Sequence, residues 1–308
     1  MKFLALLVFI IIQIVFIPFA IIGIIIVTFN QLVISKFLGV SCTAISAIGA
    51  RWIMDAYGMR KDINTRKLFR TLPNGNAPGL WMLLFPSFIR YKIYPVPAEE
   101  GKENISNLAI ARTTHMDNII NKTKDTAEQF IIMGAGYDTR CYSDQLNNLK
   151  CFELDKANTQ KLKMACLKKA GINASSVTFV EVDFTNESWY EKLKASGYDP
   201  GKKSIFLMEG VTVYLSEKDV RKVLKEFREN SAPGSILILD IASRRLLSLM
   251  RGVKSTNELF TFVLDLSSNP ENVIRTFIES EQLKLASYHL IGHKTKPGTY
   301  SVVAEIVS

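Results

Sequence analysis

The 308-residue chain is 48% hydrophobic and 22% charged, so it can bury a substantial core, and its composition gives no argument for disorder. Its length suits one α/β domain with a substrate-covering extension, which makes two large domains unnecessary. The formal net charge of +9 would suit a nucleic-acid partner, but no aromatic-plus-basic recognition motif accompanies it, and none is expected.

Phe3 to Phe29 carries no charged side chain and is barely diluted by Gln13, Pro18, Gly23 and Thr28. A helix needs about 20 apolar residues to cross a bilayer, and this stretch exceeds that. A secretory signal has a shorter apolar region of about 7 to 15 residues followed by a small-residue cleavage site, neither of which fits. A buried core helix would normally show a polar stripe. The segment therefore predicts a single transmembrane anchor over residues 1–30, with Pro18 leaving a kink or re-entrant hairpin open. Lys2 stands almost alone before it, whereas Lys36, Arg51, Arg60, Lys61, Arg66, Lys67 and Arg70 follow, which orients the body of the chain to the cytoplasm.

Residues 31–128 read as a helical extension covering the cofactor and acceptor. Arg51 to Arg70 alternates charged and apolar positions in a helical manner, and Pro73, Gly75 and Pro78 break regular structure. Trp81 to Tyr94, aromatic and interrupted by Pro86, reads first as core packing, with a membrane-surface position as the alternative.

Residues 129–308 show short apolar runs separated by polar helical stretches, the pattern of βαβ units. Strands are predicted at Phe130–Met133, Cys151–Leu154, Val177–Val182, Ile205–Met208, Ile236–Asp240, Leu283–Ile291 and Tyr300–Ile306. Helices are predicted at Lys156–Ala170, Glu187–Ala195 and Glu217–Asn230, the last capped by Ser216. The fold class is α/β: a Rossmann-like, mostly parallel seven-stranded sheet with helices on both faces. Cys42, Cys141, Cys151 and Cys166 include no CxxC pair, so they read as reduced thiols and no metal is expected.

Ligands of such sheets sit beyond the carboxyl ends of the strands. Gly134-Ala135-Gly136 after the first strand lets the backbone turn sharply and approach a ligand closely. Asp155, 19 residues beyond Gly136, stands where a ribose-binding acid belongs. Asp183 with Phe184 suits an adenine amine and ring face, and Glu209 adds a carboxylate at the pocket floor. A dinucleotide fingerprint wants a third glycine where this chain has Thr139, so an adenosine ligand without phosphates, S-adenosyl-L-methionine, is favoured. A nicotinamide-dependent oxidoreductase and a non-catalytic membrane-anchored nucleoside-binding protein are the rival readings. A hydrolase is excluded for want of a GxSxG elbow.

The run Ile131-Ile132-Met133-Gly134-Ala135-Gly136-Tyr137-Asp138-Thr139-Arg140, together with Phe152-Glu153-Leu154-Asp155, Val182-Asp183-Phe184 and Met208-Glu209-Gly210-Val211-Thr212-Val213-Tyr214-Leu215, resembles the leucine carboxyl methyltransferase family. Ser41-Cys42-Thr43-Ala44 with Arg51, and Arg112-Thr113-Thr114-His115-Met116-Asp117, look like its amino-terminal motifs. The resemblance implies that Arg112 grips the methionine carboxylate, Gly134 and Gly136 line its backbone, and Asp155 holds the ribose. It further implies that Asp183 and Phe184 hold adenine and that Glu209 sits beside the methionine amine and the acceptor. The acceptors of the family include a protein carboxyl terminus, a modified tRNA base side chain and small metabolites, so the resemblance leaves the acceptor open; a small-molecule or lipophilic one is expected, the anchor pointing to a membrane-associated acceptor. A carboxylate acceptor, already ionised at pH 7, needs no general base, and no catalytic acid or base is assigned.

Overall fold

The computed structural model describes residues 2–95, 99–250 and 260–308. The expected ranges 1–30, 31–128 and 129–308 also take in residues 1, 96–98 and 251–259, which lie outside the described residues. The chain divides into two compact units, one formed by the residues before Glu99 with Leu162–Ile172, the other by Glu99–Lys161 with Asn173–Ser308.

The first unit is helical. α1 (Lys2–Phe29) runs through a π-helical turn into α2 (Ser35–Leu38), which stops at left-handed Gly39. The helix is long and apolar enough to cross a membrane. It is no buried core helix, since Phe3, Ile14 and Ile25 are 78%, 63% and 62% exposed. α3 (Cys42–Tyr57) is capped by Ser41, and α4 (Ile63–Thr71) by Asp62, which accepts the Thr65 amide at 2.9 Å. The single helical reading of Arg51 to Arg70 is thus corrected, because Gly58, at φ 77°, ends α3. α5 (Ala77–Ile93) starts earlier than the sequence suggested. Asn76 caps it, and Pro78 falls in the first turn, where its missing N–H would have had no partner.

α5 runs antiparallel to α1. Phe85 stacks on Phe16 at 4.7 Å between ring centroids, the Arg90 guanidinium lies over the Phe9 ring, and Gly23 is packed so closely on Gly79 that a Cβ would come within 2.6 Å of the Gly79 carbonyl oxygen. The aromatic side chains of α5 also meet α3, with Trp81 against Trp52 and both Phe88 and Tyr91 against Tyr57. The Thr71 hydroxyl donates to the Cys166 carbonyl at 3.1 Å within the same unit.

The second unit begins with α6 (Leu108–Thr123) and then alternates β1 (Gln129–Met133), β2 (Lys150–Asp155), α7 (Ala157–Lys169, shared with the first unit), β3 (Val177–Glu181), α8 (Trp189–Ala195), β4 (Ser204–Met208), α9 (Glu217–Asn230) and β5 (Ile236–Ala242). α10 (Arg244–Met250), α11 (Pro270–Glu279), β6 (Lys284–Ile291) and β7 (Ser301–Val307) complete it. The strand order is β3-β2-β1-β4-β5-β7-β6, parallel except that β7 is antiparallel to both β5 and β6. The sheet is therefore seven-stranded and mostly parallel.

β1, β4 and β5 are wholly buried, which explains why they are apolar at almost every position, Asp240 of β5 being an exception. Alternation assigns their side chains to two cores. Ile131, Met133, Phe206, Met208, Leu237 and Leu239 face Trp189 and Leu193 of α8, Val223 and Phe227 of α9, and Ile274 and Phe277 of α11. Phe130, Ile132, Ile205, Leu207 and Ile238 face Met116 and Ile120 of α6. Helices thus cover both faces. Ser216 and Asp219 form a reciprocal capping box at the start of α9.

Candidate functional site

In this strand order the chain leaves β1 toward β2 on one side and returns through β4 on the other, so the crevice of the switch point opens at the carboxyl ends of β1 and β4. Gly134 stands at the first of these ends with φ 74°, and a Cβ there would meet Val211 Cγ2 at 2.4 Å. Only glycine combines that backbone conformation with that approach. The amides of Gly134 and Ala135 both donate to the Leu154 carbonyl, at 2.8 and 2.9 Å, which folds the loop over the end of β2. Gly136 donates its amide to the Asp155 carboxylate at 2.6 Å, while the Lys156 amide reaches the other carboxylate oxygen at 2.7 Å. The glycine loop and the second-strand acid are therefore one hydrogen-bonded unit.

No α-helix follows this loop. Between β1 and β2 the described chain makes two short 3-10 turns, Arg140–Tyr142 and Asp144–Leu146. A dinucleotide pyrophosphate rests on a helix amino terminus, and that feature is missing here.

Beyond β4, Glu209 is held from three directions. It accepts from the Thr113 hydroxyl at 2.7 Å, Arg112 Nε at 3.3 Å and Arg140 Nη1 at 2.8 Å. Arg112 and Thr113 project from α6, and Arg140 from the turn after the glycine loop. Arg112 also donates to Asp240 of β5 at 3.1 Å, and Asp240 in turn accepts the Gly210 amide at 2.6 Å. Arg140 completes the cluster by donating to Asp117 at 2.7 Å and to Asp138.

Burial works against both guanidinium charges, but the surrounding carboxylates outweigh it and hold Arg112 above the usual arginine range and Arg140 further above. Asp240 is raised, because burial of its carboxylate outweighs the favourable charge of Arg112. One donor in this network is left over, since Arg140 Nη2 is buried with no hydrogen-bond partner among the described residues.

The expected site residues divide into two groups. Arg112, Gly134, Gly136, Asp155 and Glu209 lie at the β1, β2 and β4 ends, joined through the loop and the charge cluster. Asp183 and Phe184 follow β3, one strand further out. Burial raises the Asp183 carboxyl, yet hydrogen bonds from the Thr185 hydroxyl and amide, together with the Lys156 ammonium 3.4 Å away, hold it below the usual range. Phe184 is buried in the core shared by α8, α9 and α11. Sequence reasoning overlooked Arg140, Asp138, Asp117 and Asp240 as members of the charge cluster. Asp240 could have been found, since it is the only ionisable residue in an otherwise apolar strand.

A family model described as leucine carboxyl methyltransferase matches residues 87–228. A Bacillus subtilis (strain 168) protein bearing the provisional name S-adenosyl-L-methionine-dependent methyltransferase YktD is 28% identical over 197 residues, covering 63% of this chain and 64% of that protein. A Mycobacteroides abscessus protein with the same provisional description is 29% identical over 167 residues, 53% of this chain and 54% of its own. The chain thus spans between half and two thirds of the length of these relatives. The solved structure of an O-methyltransferase family protein from Burkholderia thailandensis is similar at a TM-score of 0.46 and 14% identity, covering 66% of this chain and 58% of that one.

Proposed function

Because the chain belongs to the leucine carboxyl methyltransferase family, we propose that it is an S-adenosyl-L-methionine-dependent O-methyltransferase acting on a carboxylate or hydroxyl of a small or membrane-associated acceptor. The observation that carries this reading is the convergence of the Gly134–Gly136 loop, its Asp155 partner and the Arg112–Glu209 pair on the switch-point edge of the sheet. Two features fit the donor. The cradle at Gly134 has no room for a Cβ, as expected where a backbone edge must lie close to a ligand, and Arg140 Nη2 is a buried cationic donor in want of an acceptor.

When bound, the donor supplies an activated methyl group: its carbon–sulfur bond breaks as the acceptor oxygen forms the new carbon–oxygen bond, leaving a thioether. The work left to the chain is alignment and exclusion of water. Asp155, already oriented by the Gly136 and Lys156 amides, accepts from ribose hydroxyls. Arg112 and Arg140 offer guanidinium edges to a carboxylate, and Glu209 offers its charge to an ammonium group. Asp183 takes the adenine amine. A carboxylate acceptor requires no proton removal, in keeping with the lack of an assigned base.

Membrane attachment through α1 belongs to the same proposal, with the body of the chain on the cytoplasmic side. The pairing with α5 favours helices lying in one leaflet over a straight crossing. If α1 crossed fully, antiparallel α5 would cross beside it, from Gly79 near Gly23 to Arg90 near Phe9. Everything after α5 would then lie on the opposite side from everything between α1 and α5. Thr71 and Cys166, which come from those two stretches, are hydrogen-bonded to each other. An α1 lying within one leaflet beside α5, without crossing to the other side, avoids the contradiction.

Calorimetric titration of the full chain in detergent with S-adenosyl-L-methionine tests the catalytic reading. Micromolar binding weakened at least tenfold by both Arg112→Ala and Asp155→Ala is expected, and a folded wild type that does not bind would refute it. Protease protection of an amino-terminal tag on sealed inside-out vesicles would refute the in-plane arrangement.

A further inference from the structure

The fold brings His115 to His289 and His293, the other two histidines of the chain, outside the charge cluster. His115 on α6 and His289 on β6 stack with ring centroids 3.2 Å apart, and His293 follows β6, its Nδ1 3.0 Å from the Leu290 carbonyl. Glu103, buried in the segment before α6, lies beside the stacked pair. One donor atom each from Glu103, His115 and His289 fall within 4.8 Å of one another. We propose that these three side chains form a binding site for a divalent transition-metal ion, with zinc the best match to two imidazoles and one carboxylate.

The chemistry of the set favours this occupant. Zinc takes nitrogen and carboxylate ligands at about 2.0–2.2 Å, which sets donor atoms about 3.4 Å apart in a tetrahedron. The three groups, whose donor atoms lie within 4.8 Å of one another, reach that spacing by closing at most about 1.4 Å. Three protein ligands leave a fourth position for water.

The surroundings prepare the ligands. Glu103 is oriented by two backbone donors, the Gly101 amide at 2.9 Å on one oxygen and the Gly292 amide at 2.8 Å on the other, and each oxygen retains a lone pair. Both glycines have positive φ and sit where a Cβ would collide, Gly101 with His293 and Gly292 with Tyr300. The backbone therefore approaches Glu103 in a way that other residues would prevent. Glu100 stands 3.7 Å from His289 Nδ1, the position of the outer carboxylate that fixes a ligating imidazole.

His289 Nε2 is buried and has no hydrogen-bond partner among the described residues. Such an atom costs free energy unless something binds it. The Gly101 carbonyl accepts from the Lys294 amide at 2.7 Å, so the segment before α6 is already stapled to the β6–β7 connection. An ion there would pin α6 to β6, one turn from Arg112 and Thr113, where they reach Glu209. Cysteine spacing had excluded a metal, but this ligand set contains no cysteine.

The test titrates the full chain in detergent micelles, freed of metal by a chelator, with Zn²⁺ by calorimetry and with Co²⁺ by visible absorption. One equivalent of Zn²⁺ should bind with micromolar or tighter affinity, and Co²⁺ should give the visible band of low coordination number. At hundredfold excess over Kd, Zn²⁺ should raise Tm by about 4 °C. His289→Ala and His115→Ala should each weaken binding at least fiftyfold, and Glu103→Gln at least tenfold, while His293→Ala should leave it unchanged. Failure of a folded wild type to bind one equivalent overturns the site, and so does binding that survives Glu103→Gln and His115→Ala intact. Because Glu103→Gln keeps the size of the side chain, it serves if a histidine variant does not fold.

Discussion

Replacing Gly134 by alanine is the most direct test of the glycine loop. The residue holds φ 74°, and left-handed backbone costs a residue with a Cβ about 1–2 kcal/mol. The new methyl would also lie 2.4 Å from Val211 Cγ2, 3.2 Å from Cγ1 and 3.4 Å from Cβ. Clearing the space requires Val211 to leave its rotamer or the loop backbone to shift. Overpacking of this kind adds about 1–3 kcal/mol, so Gly134→Ala should lose about 2–5 kcal/mol. Urea unfolding of the full chain in detergent, followed by circular dichroism, measures the loss. Val211→Ala in the same chain should recover the overpacking part and leave the backbone part, giving a coupling of about 1–3 kcal/mol in a double-mutant cycle. An unchanged midpoint for Gly134→Ala, or strict additivity with Val211→Ala, would refute the close approach.

Three further outcomes are expected. Arg140→Met strands the carboxylates of Asp117, Asp138 and Glu209 and should cost about 3–5 kcal/mol, with Arg140→Lys recovering part of it in a thermal-unfolding series. The Asp183 carboxyl is depressed in the folded chain, so its stabilisation is present above the ordinary aspartate range and is lost as pH falls below about 4 through the folded value. Thr185→Val, which removes the hydroxyl donor, should therefore move acid unfolding to higher pH, and an unmoved acid midpoint counts against that hydrogen bond. Gly23→Val would drive a side chain into the Gly79 carbonyl and Met82, loosening α1 from α5 by about 1–3 kcal/mol. Limited proteolysis in detergent should then cut between the two helices faster than in the wild type.

The sheet is legible in the sequence wherever a strand is buried on both faces. Phe130–Met133 and Ile205–Met208 are apolar throughout because helices cover both sides, and only the bordering Gln129 and Ser204 extend the observed strands. Ser216 announces α9 because a cap is a local device. The insertion of β7 between β5 and β6 is a pairing choice, and alternation along a strand carries no information about its neighbour. α11 escaped notice although Pro270 occupies its first turn, since the cap, Asn269, adopts φ 46°. The site divides in the same way. Gly134 and Asp155 are visible as strand-end residues, whereas the reach of Arg140 to Glu209 across 69 positions exists only once β1 and β4 are adjacent. The aromatic run of α5, read first as core packing, packs between α1 and α3.

The charge cluster at the crevice sets two guanidinium groups against four carboxylates, those of Asp117, Asp138, Glu209 and Asp240. Its surplus is negative even with Asp240 shifted toward its neutral form. A sulfonium donor carries one more positive charge than the thioether it becomes, so on the proposed reading these walls would attract the fresh donor and relax their hold once the methyl group had left. The crevice would then distinguish loaded from spent donor by charge, and added salt should narrow that distinction by weakening capture of the donor more than capture of its product.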